Sequence, residues 1–135
     1  MTKRTGGCLC GAVRYEITKD PQMTAVCHCT HCQRQSGSVF STNLVLMEGD
    51  YSQTGETKVF ADKGDSGQGG FRHFCPNCGS PILSKVAVMP GMVMVKAGTL
   101  DDMTGITPGV EVYTDHAAQW VAPAPGAARF GQGAG

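Results

Sequence analysis

The sequence predicts a mainly β domain built from short antiparallel strands. Three observations lead there: apolar and polar residues alternate over short runs, glycine and proline punctuate those runs, and no apolar stripe of helical period reaches ordinary helix length.

The elements follow in order. Residues 13–17 (VRYEI) alternate as a half-buried strand does. Residues 23–26 form a short extended run into the central cysteines. Residues 39–47 make a longer strand, rich in β-branched residues and leucine. Residues 58–61 and 70–74 flank a polar, glycine-rich stretch at 62–70, expected to be a connection able to cover a ligand. Residues 82–88 and 92–97 flank the turn Met89-Pro90-Gly91, and 110–113 form a last strand. Residues 30–35 and 101–103 each suit one helical turn. Residues 1–120 are expected to form the domain. Residues 121–135 are mostly Ala, Pro and Gly and predict a flexible tail, with Arg129 and Phe130 as its docking candidates.

A chain of 135 residues suits one domain of usual size. Eleven basic residues balance eleven acidic ones, which argues against an electrostatic nucleic-acid binder. The opening MTKRTGG has no apolar stretch after it, so no secretory signal is expected. The most apolar segment, 86–95, is interrupted by Pro90-Gly91 and is too short to span a membrane. A cytoplasmic protein is expected, in a compartment that keeps thiols reduced.

All seven cysteines fall in three clusters: Cys8 and Cys10; Cys27, Cys29 and Cys32; Cys75 and Cys78. An odd number cannot close into disulfides, but it divides as four plus three. Four thiolates complete a tetrahedral zinc site, whereas three leave a coordination position open. The pairs Cys8/Cys10 and Cys75/Cys78 suit the closed site, and the central three suit the open one. Three thiolates make zinc electron-rich and a weak activator of water, so a soft sulfur ligand fits the open position better. Several alternatives stand beside this reading. His28 or His31 would close the central site. Cys75-Pro76-Asn77-Cys78 has redox spacing, although Gly79 and Pro81 oppose the helix that chemistry needs. An iron–sulfur cluster is compatible with the ligands alone.

Residues 6–15 (GGCLCGAVRY), 27–37 (CHCTHCQRQSG) and 74–81 (FCPNCGSP) resemble, in order, the three motifs of the glutathione-dependent formaldehyde-activating enzyme family, which includes centromere protein V. The resemblance implies a zinc-stapled β-tent fold. It implies structural zinc on Cys8, Cys10, Cys75 and Cys78, and catalytic zinc on Cys27, Cys29 and Cys32. It also implies a carbon–sulfur lyase joining glutathione to formaldehyde as S-(hydroxymethyl)glutathione.

The partners expected are a small thiol and an aldehyde. His28, His31, His73 and His116 are candidate proton carriers. Arg34 and Arg72, with Lys85, are candidates to hold glutathione carboxylates. Amides around Ser36-Gly37 and Gly79-Ser80 are expected to hydrogen-bond the ligand sulfurs. The alternatives are a lyase acting on another thiol adduct and a non-catalytic zinc module that binds a partner. The opening motif begins at Gly6 with no basic extension before it, which argues against a chromatin or microtubule role.

Overall fold

The computed structural model describes residues 3–63 and 69–133. Eleven strands and one short helix are described: β1 (Arg4–Gly7), β2 (Arg14–Ile17), β3 (Met23–Cys27), α1 (Thr30–Ser36), β4 (Ser41–Met47), β5 (Tyr51–Thr54), β6 (Lys58–Asp62), β7 (Gly70–Phe74), β8 (Pro81–Val86), β9 (Met92–Lys96), β10 (Val110–Val112) and β11 (Ala128–Arg129). They form two sheets, one ordered β1-β2-β5 and the other β11-β10-β3-β4-β9-β8-β7-β6. The pairings are antiparallel except at one edge, where β10 runs parallel to both β3 and β11.

Strand alternation divides the large sheet into two unlike faces. On one face, register aligns Leu44 with Val95 and Leu83, and Leu46 with Val93. These side chains pack with Val13, Tyr15 and Ile17, from β2 and the residue before it, to form the main core. Cys8 and Cys75 sit in that same cluster. The opposite face carries Asn43, Val45, Met94, Lys96 and Ser84 and forms the floor of a cleft.

The structure departs from the sequence reading at two points. Residues 101–103 are not helical; short 3₁₀ turns form instead at Glu48–Asp50, Ala97–Thr99 and Thr114–His116. The small sheet uses β1 and β5, whose polar sequences RTGG and YSQT carry no strand signal of their own. Both gain their hydrogen bonds by flanking β2. The described part of the tail makes contacts with the domain, Arg129 among them. Glu111 draws it in by accepting from the Ala124 amide at 2.8 Å and the Arg129 guanidinium at 2.7 Å, and β11 pairs with β10. Most of the connection expected to cover a ligand, residues 64–68, lies outside the described residues.

Candidate active site

Cys8 and Cys10 sit in the turn between β1 and β2, and Cys75 and Cys78 in the turn between β7 and β8. Gly11 (φ 84°) and Gly79 (φ 81°) adopt the left-handed backbone that closes each turn. The amides of Val13 and Asn77 point at the sulfurs of Cys8 (3.2 Å) and Cys75 (3.4 Å). The Ser80 hydroxyl lies 3.2 Å from Cys78 Sγ. All seven cysteines are free thiols. The sulfurs of Cys8, Cys10, Cys75 and Cys78 lie within 4.8 Å of one another. Cys8–Cys10 and Cys10–Cys75 are 3.6 and 3.8 Å apart. Four sulfurs placed tetrahedrally around a zinc ion would be about 3.8 Å apart. The donors, their spacing and the amides aimed at them therefore fit zinc.

The second cluster forms where β3 runs into α1. Cys27 ends β3, Cys29 caps the helix, and Cys32 faces inward from its first turn. Their sulfurs also lie within 4.8 Å of one another. The Cys32 amide donates to Cys29 Sγ at 3.3 Å. Hydrogen bonds from Cys27 and Cys29 hold the Cys32 thiol far below its ordinary range despite its burial. Hydrogen bonds with Cys29 and Cys32, together with burial, push the Cys27 thiol up.

The cluster opens on a cleft of about 490 Å³. Two cations stand beside it. The Arg72 guanidinium nitrogens lie 3.9 and 4.0 Å from Cys32 Sγ, and its Nε donates to Asp62 at 2.8 Å. Lys96 is 6 % exposed, with Nζ 3.5 Å from Ser41 Oγ. Burial pulls the Lys96 pKa down, against the attraction of the Cys32, Cys27 and Cys29 sulfurs. The two cations offset the negative charge that three thiolates would leave on a bound zinc. Tyr113, beside the cluster, is a non-glycine residue in the left-handed region (φ 55°, ψ 39°). Such a conformation persists only where its surroundings enforce it, and here the Tyr113 amide donates to the Gln132 carbonyl at 3.0 Å.

The sequence model of the glutathione-dependent formaldehyde-activating enzyme family matches residues 3–116, most of the chain. The chain belongs to this family. Comparison with curated proteins gives no match. Among solved structures, a Rhodobacter sphaeroides protein is similar in fold, with TM-score 0.58 and 19% identity over 77% of this chain and 91% of that one.

With the family known, the residues expected at the site can be placed. Cys27, Cys29, Cys32 and Arg72 come together at the cleft. Arg34 does not: it is exposed on α1, and its charge lies in the helix's last turn, where it complements the helix dipole. Lys85 pairs with Glu48 at 3.2 Å instead of lining the cleft. His28 is buried, with Nε2 2.7 Å from Glu111 Oε1, and lies outside the ligand cluster. His31 Nδ1 contacts Asp62 at 2.9 Å, while His73 Nδ1 lies 3.1 Å from Thr57 Oγ1. Neither His73 nor His116 lines the cleft. The amides that reach sulfur include those of Val13, Cys32 and Asn77, and the expected Ser80 amide meets the Cys78 sulfur.

Sequence reasoning missed Asn43, Asp62, Ser84, Lys96 and Glu111. Each is a polar residue on a strand, where alternation alone reads it as facing water. The lone lysine closing the apolar run MVMVK was the one available signal.

Proposed function

We propose that this chain is a zinc-dependent carbon–sulfur lyase that joins glutathione or a related thiol to an aldehyde and reverses the same reaction. The observation supporting this reading is a buried three-cysteine cluster that opens onto a cleft with Arg72 and Lys96 beside it. Cys27, Cys29 and Cys32 would hold one zinc ion, and Cys8, Cys10, Cys75 and Cys78 another. Zinc on the three-cysteine site would supply a position for a soft thiolate and lower that thiol's pKa.

The protein's own residues do the rest. The cleft walls bring thiol and aldehyde together and limit water, replacing a bimolecular encounter by a held geometry. Sulfur attacks the carbonyl carbon, a carbon–sulfur bond forms, and the proton leaving sulfur ends on the former carbonyl oxygen. Arg72 and Lys96 stabilise the negative charge that develops on that oxygen. Nothing is oxidised or reduced. The reaction belongs in the cytosol, where thiols stay reduced; among the described residues no helix is long and apolar enough to cross a membrane.

The test counts zinc per chain in protein purified without added metal, then measures adduct formation from glutathione and formaldehyde above the uncatalysed rate. Two zinc ions, one of which changes its ligands on thiol addition, together with rate enhancement, are expected. Two zinc ions blind to thiols and without turnover would leave a zinc module that binds a partner, and would refute the enzyme reading.

A further inference from the structure

The strand register orders the cleft floor into rows leading away from the cysteines. Val112, Cys27 and Ser41 form the first row. Val110, Ala25, Asn43 and Lys96 form the second. Met23, Val45, Met94, Ser84 and Arg72 form the third. The rows are polar on one flank and apolar on the other. Lys96 and Arg72 end their rows on the flank whose charges serve the Cys27, Cys29 and Cys32 sulfurs. The opposite corner is built from Met23, Val45, Met94 and Val110, all of which line the cleft.

Met23 lies four positions before Cys27, a distance of about 13 Å along an extended strand. A substrate anchored by sulfur at the cysteines therefore reaches this apolar corner with its far end. Lys63 also lines the cleft but follows β6, on the Arg72 side, so a glutathione carboxylate placed among Met23, Val45 and Met94 would lose water without gaining a donor among the described residues. An alkyl chain would gain by burial, and the methionines can adjust their shape around it. Asn43 Oδ1 and Ser84 Oγ are buried without hydrogen-bond partners and line the cleft between the two flanks. They suit a single hydroxyl or amide at the junction of head and chain.

We infer that the substrate is a thiol–aldehyde adduct bearing an apolar chain of about hexyl size, with its polar reacting centre at Cys27, Cys29 and Cys32 and its chain running past Ala25 and Val110 towards Met23, Val45 and Met94. This rests on the lyase reading above. The chain can come from either partner: a longer aldehyde added to glutathione, or an apolar thiol added to formaldehyde. In both, sulfur bonds to the carbonyl carbon, and the thiol proton ends on the resulting hydroxyl.

The experiment uses the zinc-loaded protein and three substrate pairs: glutathione with formaldehyde, glutathione with hexanal, and hexanethiol with formaldehyde. Calorimetric binding of S-methylglutathione and S-hexylglutathione runs alongside. Each buried methylene is worth about fourfold in affinity, so the hexyl probe should bind about a hundredfold tighter with its chain partly covered. One hexyl pair should exceed glutathione with formaldehyde in kcat/KM by at least about tenfold, and which one identifies the source of the chain. Met94→Lys should lower the hexyl-to-methyl binding ratio by about tenfold or more.

If glutathione with formaldehyde is the best pair and the probes bind alike, the apolar-chain inference is overturned while the lyase reading stands. If no pair turns over but the hexyl probe binds tighter and Met94→Lys removes the difference, the lyase reading fails and the apolar compartment stands. Absence of both turnover and chain-length dependence overturns both.

Discussion

Replacing Glu111 by alanine should both destabilise the protein and loosen the three-cysteine site. Glu111 is 2 % exposed, and one carboxylate serves three donors: His28 Nε2 at 2.7 Å, the Ala124 amide at 2.8 Å and Arg129 at 2.7 Å. Burial pushes its pKa up, but these contacts outweigh burial and hold it below the usual value. Without the carboxylate, the His28 ring nitrogen and the Ala124 amide lose their acceptor inside the protein, at about 1–3 kcal/mol each. The Arg129 side chain is 37 % exposed and can turn to water, so its pair adds little. The expected loss is about 3–5 kcal/mol, close to the usual result of breaking a buried pair from one side. His28 stands between Cys27 and Cys29, so zinc content should fall towards one ion per chain as the fold weakens. Urea unfolding gives the first quantity, and metal analysis after gel filtration the second. Arg129→Ala serves as the control and should cost less than about 1 kcal/mol. An Glu111→Ala protein within about 1 kcal/mol of the parent and with full zinc would refute the claim that Glu111 ties the tail to the cysteine loop.

The two clusters should respond differently to removal of a ligand. Cys75→Ala strips a sulfur from the site inside the main core and should abolish cooperative unfolding seen by circular dichroism, whereas Cys29→Ala should lose one zinc and remain folded. The opposite pattern would mean that the structural and reactive roles are reversed. Asp101 joins Thr5 of β1 and Arg14 of β2, and the Arg14 and Thr5 hydrogen bonds lower its pKa to about 2. A carboxylate held below its unfolded value stabilises the fold above about pH 4, and that stability is lost as pH falls towards about 2. Asp101→Asn should flatten stability across that window, and an unchanged pH profile would exclude the contribution. Gly55 has φ 85°, and a Cβ there would meet the Ala12 carbonyl oxygen at 2.0 Å. Gly55→Ala should therefore lower the melting temperature measurably, by about 1–3 kcal/mol of strain.

Much of the site was legible because metal chemistry is local. Cys8/Cys10, Cys27/Cys29/Cys32 and Cys75/Cys78 are each held by one tight turn, so spacing alone shows which sulfurs can share an ion. The central strands were legible for a related reason: alternation in VRYEI reflects one buried face, and the apolar run of β4 reflects a strand covered on both. Where backbone conformation is imposed by a partner, the sequence is silent. β1, β5 and β11 have little apolar content and exist because β2 and β10 offer them hydrogen bonds. The tail's contacts are equally invisible in its Ala/Pro/Gly-rich sequence, since their anchor is a glutamate in another strand.

The sequence by itself determined the mainly β class, the four-plus-three partition of the cysteines and the family. Each rests on residue type and short-range spacing, which need no knowledge of the fold. Tertiary structure alone decided what surrounds the open cluster. It brought Lys96 from β9 and Arg72 from β7 to the sulfurs, left Arg34 in solvent, and gathered valines and methionines from four strands into one apolar corner. A strand's alternation shows that two faces differ, but only the register of its neighbours shows whether the polar face meets water or a substrate.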